Sequence, residues 1–498
     1  MNNTDISWTT SPTIADAQLE TPYADAVKAY AARDYVRLDV PGHAAQSSAQ
    51  PELAAAFGED LLRLDLPPLI DEIDQGAAPT PKIRSAALAA AAWGAHRTWL
   101  LTNGGSNGNL VACLALRRFG TKIVCQRSMH SSVMDGMLLA GLEARYVQPV
   151  VDSELGAAHG VTADAMATAF DAEPDAVAGY IVSPSYFGAV ADVRAIAEVA
   201  HARGKLLIVD AAWGAHFGFH PDLPESPLDA GADLVIMSTH KMAGSLTQTA
   251  LLHLGHGPRA DELEPLIRRT FRSMQSTSAS ALLMMSVDII RSGMAVHGEE
   301  RISRSLEAAA QLRQGVVEGG RFTELSDRFR TSPDIAALDP LRVVIDTRHG
   351  GISGHEARAI LFHDHQVHLE MATDSAIVAV IGAGSCPDVS RVLTALHALP
   401  DRGAAVSAPI TLPQPGEAVM TLRDAYFAAS ELIPVDQAVG RVSAEALAAY
   451  QPGIPNLLPG EIITAETLDF LIKTARSPFG HVRGAHDAAL TKVQVIAA

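Results

Sequence analysis

The sequence predicts an α/β protein: a mostly parallel central sheet with helices on both faces, followed by a smaller α+β C-terminal domain. Three observations carry this. Between residues 83 and 238, short apolar runs alternate with helical stretches of about ten residues, the pattern of βαβ units. Runs such as Leu206-Leu207-Ile208-Val209 are apolar at every position, as in strands covered on both faces. After Lys241 that pattern changes: a long helix is followed by strands and helices in a different order.

Taken in order, residues 1–20 read as a loose polar leader. A helix starts at Pro22, because Tyr23, Val27 and Tyr30 fall near a helical period. Val40-Pro41-Gly42-His43 is a turn, and residues 51–82, with their prolines and their alternating Leu and Asp, an extended connector. An Ala-rich helix spans 83–93, a strand 98–101, a Gly-rich loop 102–109 and an apolar helix 110–116. Strands follow at 123–125, 144–147, 179–183, 205–210 and 232–238, with helices at 131–141 and 193–202. A long helix is expected over 301–317, strands over 341–345, 367–371 and 376–381, and a helix over 391–399. Within the mixed last segment, Tyr450 to Pro455 reads as extended and Pro459-Gly460-Glu461 as a turn. This divides the chain into an N-terminal arm and linker (1–75), a large domain (76–320) and a small α+β part (321–498).

Composition excludes several classes. The 498 residues carry a formal charge of −18, which argues against sequence-independent nucleic-acid binding through clustered Lys and Arg. Three cysteines (Cys113, Cys125, Cys386) without ligand spacing suggest a reducing compartment and no disulfide framework. No run approaches the ~18 apolar residues of a membrane span, and the polar first residues do not resemble a secretion signal. A cytoplasmic protein is the expectation. His363, His365 and His368 have a metal-like spacing, but no Cys or acidic cluster completes the set, and no metal is expected.

The chemistry centres on Ser238-Thr239-His240-Lys241. A lysine placed just after a buried strand, among small hydroxyl residues, loses hydration; this lowers its pKa and frees the amine as a nucleophile for Schiff-base formation. A surface lysine ending a strand is the plain alternative. Asp210 also ends a predicted strand, where ligands sit in open α/β sheets, although a carboxylate there is often a helix cap. The loop Thr102 to Asn109 leads from a strand into a helix. It is either an anion cradle or a tight turn, and it matches neither G-x-x-x-x-G-K-S/T nor G-x-G-x-x-G. An anion cradle, a strand-end carboxylate and a strand-end lysine together meet the needs of pyridoxal 5′-phosphate (PLP): a phosphate, a pyridine nitrogen to keep protonated and an aldehyde that condenses with lysine. His130, at a strand–helix junction, would stack on the ring.

The chain resembles the fold-type I, PLP-dependent ornithine/lysine/arginine decarboxylases, in a short form without an N-terminal wing domain. The resemblance runs from about Thr21 to Thr464. Its marks are Pro41-Gly42-His43, the loop from Thr102 to Asn109, Arg127 to Ser132, Ser183-Pro184-Ser185-Tyr186-Phe187-Gly188, Ser238-Thr239-His240-Lys241, Gln275-Ser276-Thr277-Ser278, Leu369-Glu370-Met371, Pro452-Gly453-Ile454-Pro455 and Pro459-Gly460-Glu461.

The resemblance implies that Lys241 binds the cofactor covalently, Asp210 pairs with its ring nitrogen, and Ala212 and Trp213 lie at the ring with His130. Gly105, Ser106, Asn107, Ser238 and His240 would hold the phosphate, with Ser276 or Thr277 from a second subunit. It also implies a homodimer or larger assembly, active sites at the interface, and decarboxylation of lysine, ornithine or arginine to an amine used in polyamine synthesis. Lys241, His240 and His130 are the expected catalytic residues. Glu461 and Glu370 are the candidates for meeting a cationic substrate side chain, and each has an equally good structural reading; Arg423 could orient a carboxyl group or form a salt bridge. The chain departs from the family at Ala44, Trp213, Ala279 and Ser280, which leaves room for another reaction at Cα, or for a silent homologue.

Overall fold

A computed structural model describes residues 14–403, 410–450, 453–477 and 480–497. The leader expected over 1–20 lies outside the described residues up to 13; beyond that it is corrected, since Ile14–Gln18 is a helix and Gln18 is buried, accepting from Arg291 Nη1. Gln451-Pro452, in the stretch expected to be extended, also lie outside the described residues.

Seven strands form the central sheet: β1 (Arg97–Leu101), β2 (Lys122–Gln126), β3 (Glu143–Val147), β4 (Ala176–Val182), β5 (Leu206–Asp210), β6 (Leu234–Met237) and β7 (Ala250–Leu254). Their order is β1-β7-β6-β5-β4-β2-β3. The pairs β6–β5, β5–β4, β4–β2 and β2–β3 are parallel. Strand β7 runs antiparallel to both β1 and β6, so the sheet is parallel but for this one strand. The sequence reading has no strand at 250–254, because its apolar run resembles a buried helical segment as much as a strand.

Both faces of the sheet are buried. Leu207, Val209, Val235 and Met237 belong to one core, whereas Leu206, Ile208, Leu234 and Ile236 belong to the other. Successive side chains of a strand point to opposite faces, so an all-apolar strand feeds two cores at once.

Some expectations need correction. The helix after β1 begins at Gly104, within the stretch expected to be a loop, and runs to Leu116. Glycines are poor helix formers, but here tertiary contact decides: a Cβ on Gly108 would meet Ile236 Cγ2 at 2.9 Å and Leu101 Cδ1 at 3.0 Å. Within 51–82, expected to be extended, lie two short helices, Pro51–Phe57 and Glu59–Leu64. The helix expected at 301–317 is the second half of one 39-residue helix, Ala281–Gly319, capped by the Ser280 hydroxyl and ended by Gly320 in the left-handed region. The strand expected at 367–371 shrinks to Met371–Ala372.

That long helix leads into an antiparallel four-stranded sheet, in the order Thr323–Glu324, Arg342–Asp346, Ala376–Val380, Met371–Ala372. Helices Gly354–His363 and Val389–His397 accompany it. His363 and His368 pack edge-on against the Phe362 ring. The last segment builds two small sheets and helix Ala465–Arg476 around a core that includes Leu447, Leu457, Leu471 and Val493. No helix among the described residues is long and apolar enough to cross a membrane.

Candidate active site

Asp210 ends β5 and Lys241 lies just past the end of β6; these strands are parallel neighbours, with Asp210 opposite Ile236. Both residues open into one cavity of about 630 Å³, within the ~300–1,000 Å³ usual for ligand sites. The sheet's topology therefore brings together two residues that lie 31 positions apart in sequence.

Asp210 is buried, at 4% exposure. Its Oδ2 accepts from the Asn109 side-chain amide at 2.9 Å, and its Oδ1 from the Ala212 N–H at 3.1 Å. Asn109 is fixed in turn: its Oδ1 accepts from the Tyr180 hydroxyl at 2.8 Å, and its amide also donates to Ser132 Oγ at 2.9 Å. The carboxylate is thus oriented by neutral donors, and no cation among the described residues forms an ion pair with it.

His130 caps helix Ser131–Ala140. Its Nδ1 accepts from the Ser132 N–H at 3.2 Å and lies 2.7 Å from Ser132 Oγ. Burial lowers its pKa, which favours a neutral, flat ring at the cavity wall.

Lys241 Nζ lies 4.3 Å from the centre of the Trp213 ring. Burial lowers the lysine's pKa; the Asp210 charge opposes this and Arg342 adds to it. Arg342 sits against the same indole, its guanidinium carbon 4.2 Å from the ring centre, and is itself buried; its Nε lies 4.0 Å from Asp339 Oδ2, and neither Nε nor Nη2 makes a hydrogen bond. Behind it, Asp339 pairs with buried His216 at 3.1 Å. Gly188 makes room for Arg342: its φ is +84°, and a Cβ there would meet Arg342 Cγ at 2.7 Å.

The third part is the start of helix Gly104–Leu116. Asn103 gives it no side-chain cap, and Gly104, Gly105 and Ser106 line the cavity. The Gly104 N–H donates to the Gln248 carbonyl at 2.8 Å, but first-turn N–H groups have no carbonyl partner inside their helix, so Gly105 and Ser106 present donors and the positive end of the helix dipole to the site. Only a glycine fits at 105, since a Cβ would come within 2.8 Å of Ser238 Oγ. Ser238 and His240 line the same wall, and His240 Nδ1 lies 2.8 Å from the Thr249 carbonyl oxygen.

Other expected site residues fall elsewhere. Asn107 does not line the cavity, and its side-chain amide donates to the Met274 carbonyl at 3.0 Å. Ser276 and Thr277 are exposed and do not line their own chain's cavity. Ala212 and Trp213 do. Glu370 is exposed, close enough for its charge to act on Lys241. Glu461 is buried away from the cavity, held by Arg127 through two contacts of 2.7 and 2.8 Å and by the Leu458 N–H. Arg423 donates to the Leu138 and Leu139 carbonyls.

Sequence reasoning gave Asn109 no separate role, although it closes the Thr102–Asn109 motif. It passed over Arg342, His159, Glu445, Arg483 and His486, which have no local signature and reach the site only through the fold.

A buried carboxylate with neutral donors, a half-buried lysine in the short helix Thr239–Met242 that follows the next strand, a histidine whose pKa burial lowers and an uncapped helix start fit PLP, and the fold is that of fold-type I PLP-dependent enzymes. Lysine decarboxylase A from Pseudomonas aeruginosa superposes with a TM-score of 0.80 at 19% identity, over 97% of this chain and 81% of that one. A serine palmitoyltransferase solved as its PLP internal aldimine gives 0.51 at 16% identity, over 70% of this chain and 81% of that one.

The model of the Orn/Lys/Arg decarboxylase major domain matches residues 21–332, and that of the family's C-terminal domain matches 409–478. An arginine decarboxylase of Bacillus subtilis (strain 168) is 31% identical over 487 residues, 96% of this chain and 98% of that protein. The constitutive lysine decarboxylase of Escherichia coli (strain K12) is 23% identical over 559 residues, 91% and 77% of the two chains. The chain belongs to the Orn/Lys/Arg decarboxylase family and is a PLP-dependent amino-acid decarboxylase.

Proposed function

We propose that this protein decarboxylates a basic L-amino acid at Cα, with arginine ahead of lysine and ornithine, releasing CO₂ and the corresponding amine. The observation that carries the reading is the placement of Asp210 and Lys241 at the ends of adjacent parallel strands, opening into one cavity beside His130. Arginine comes first because a relative of that name aligns over 98% of its length.

Lys241 would hold the cofactor covalently through Nζ and Asp210 would hold its ring nitrogen. His130, Ala212 and Trp213 would bound its ring. The N–H groups of Gly105 and Ser106, with Ser238 and His240, would hold its phosphate, joined by Ser276 or Thr277 from a second copy of the chain. Bound there, PLP supplies an electron sink for the pair released when the Cα–carboxylate bond breaks.

The chain's own residues do the rest. Burial favours the neutral, nucleophilic form of Lys241. Asp210 cannot swing away, because Asn109 and Ala212 grip both of its oxygens. His240 Nδ1–H donates to the Thr249 carbonyl, so a proton would reach Cα from Lys241 Nζ, or from His240 Nε2 when both ring nitrogens are protonated. The Trp213, Phe187 and Met371 side of the cavity limits water.

We place the protein in the cytoplasm as a homodimer or larger assembly, with an arm over 1–75, a large domain over 76–320 and a small part over 321–498; its cysteines are free, two of them buried. The test is CO₂ release by PLP-loaded protein from L-arginine, L-lysine and L-ornithine. Release from arginine at the highest kcat/KM is expected. No release from any of the three, with keto-acid or ammonia formed instead, would assign another reaction at Cα.

A further inference from the structure

Three acidic residues line the cavity: Asp135, Asp210 and Glu445. Two already have work. Asp210 is held by Asn109 and faces Lys241. Asp135 is exposed and lies in the field of Arg483 and His130. Glu445 differs. It is 7% exposed, and no Lys, Arg or His among the described residues forms an ion pair with it.

Its carboxylate is nevertheless fixed. One oxygen accepts from the His486 N–H at 2.6 Å, the other from the Gln494 N–H at 2.8 Å. His486 and Gln494 also line the cavity, so the carboxylate lies between two wall segments. Ser443 braces the turn from behind, its hydroxyl bonded to the Glu445 carbonyl at 2.8 Å and accepting from the Glu445 N–H at 3.1 Å. Each carboxylate oxygen has a second lone pair, so two backbone donors leave acceptor capacity unused. A buried acidic group without a cation is costly, and is found where a cation completes the site.

We infer that Glu445 receives the cationic end of the substrate side chain and so determines specificity for basic amino acids. The inference rests on the proposed function, since it names the side-chain subsite of that same cavity. Substrate would lie with its Cα at Lys241 and its guanidinium or ammonium at Glu445. The match is one of charge and of a planar, bidentate acceptor, which suits a guanidinium best. Glu370 and Glu461 serve less well: the first is exposed and the second is consumed by Arg127.

The test compares two amines on the PLP-loaded enzyme: agmatine, which carries a guanidinium tail, and n-pentylamine, which has a similar length and no tail charge. Dissociation constants are read by calorimetry or from the visible spectrum. The wild type is expected to prefer agmatine by about tenfold to a hundredfold, the range of one charge-assisted hydrogen-bonded contact. Glu445→Gln should bring that ratio close to one and raise KM for the amino acid more than it lowers kcat. Glu445→Asp, which keeps the charge, should retain a preference. The ratio is taken within one sample, so a loss of folded protein does not alter it. A purely structural staple between residues 486 and 494 would weaken both amines alike.

An unchanged ratio in Glu445→Gln, or no preference in the wild type, overturns the assignment of Glu445. Decarboxylation of basic amino acids would still stand in the first case. If the wild type releases no CO₂ from any basic amino acid, the proposed function falls, and Glu445 falls with it.

Discussion

The Asn109 side-chain amide donates to Asp210 Oδ2 at 2.9 Å, and its carbonyl accepts from the Tyr180 hydroxyl at 2.8 Å. The carboxylate at the end of β5 is thus oriented by a residue on the helix whose first turn lines the cavity. Asn109→Ala leaves the Tyr180 hydroxyl without its acceptor and the Asp210 oxygen without its donor. Stability should fall by about 1–3 kcal/mol. PLP affinity, titrated on apoenzyme, should fall roughly tenfold on the same scale. An unchanged PLP affinity would show that Asp210 does not depend on Asn109 for its orientation.

Arg127 and Glu461 form a buried, two-pronged ion pair that ties the end of β2 to the C-terminal segment. Removing one partner strands the other charge, at a cost of about 3–5 kcal/mol. Glu461→Gln should therefore lower Tm sharply and leave the agmatine-to-pentylamine preference intact. A lost preference in protein that remains folded would return Glu461 to the substrate site.

His253 is fully buried beside Thr98, and burial pushes its pKa down to about 3. A histidine with a depressed folded pKa stays neutral in the fold while the unfolded chain takes up a proton. Its share of stability is complete above about pH 6.5 and is lost as pH falls from there toward 3, at up to ~1.4 kcal/mol per pH unit. Urea unfolding of wild type and His253→Gln across pH 4–7 checks this; the variant should show the shallower dependence. Parallel curves would place the acid sensitivity elsewhere.

Lys241 and Arg342 approach the same Trp213 ring, at 4.3 and 4.2 Å from its centre. Burial and the Arg342 charge both favour the neutral amine. The rate at which apoenzyme captures added PLP should therefore reach its plateau below the pH at which a free lysine deprotonates. Arg342→Met removes a nearby positive charge and should move that midpoint upward. A downward shift would mean that Arg342 acts on Lys241 through packing alone.

The parts of the site that follow one another in sequence were legible before the structure. Lys241, Ser238 and His240 share one segment, and Asp210 ends a run that is apolar at every position and sits between helical stretches, the βαβ pattern. The mostly parallel sheet was legible for the same reason. Strand β7 was not, because its apolar run reads equally well as a buried helical segment. The Gly104 helix start was hidden because its glycines are dictated by Ser238 and Ile236, more than a hundred residues away. Glu445, Arg342 and Arg483 were out of reach because the residues they meet, such as His486 and Gln494 for Glu445, Trp213 for Arg342 and Ser131 for Arg483, lie far from them in sequence.

Lys241 as the residue that holds PLP is tested directly by borohydride reduction of the PLP-loaded protein, followed by proteolysis and mass spectrometry. A pyridoxyl-phosphate adduct is expected on the peptide carrying Lys241, with loss of both the adduct and the visible absorption band in Lys241→Ala. An adduct on a different lysine, or a Lys241→Ala protein that keeps the band and still releases CO₂, would contradict it.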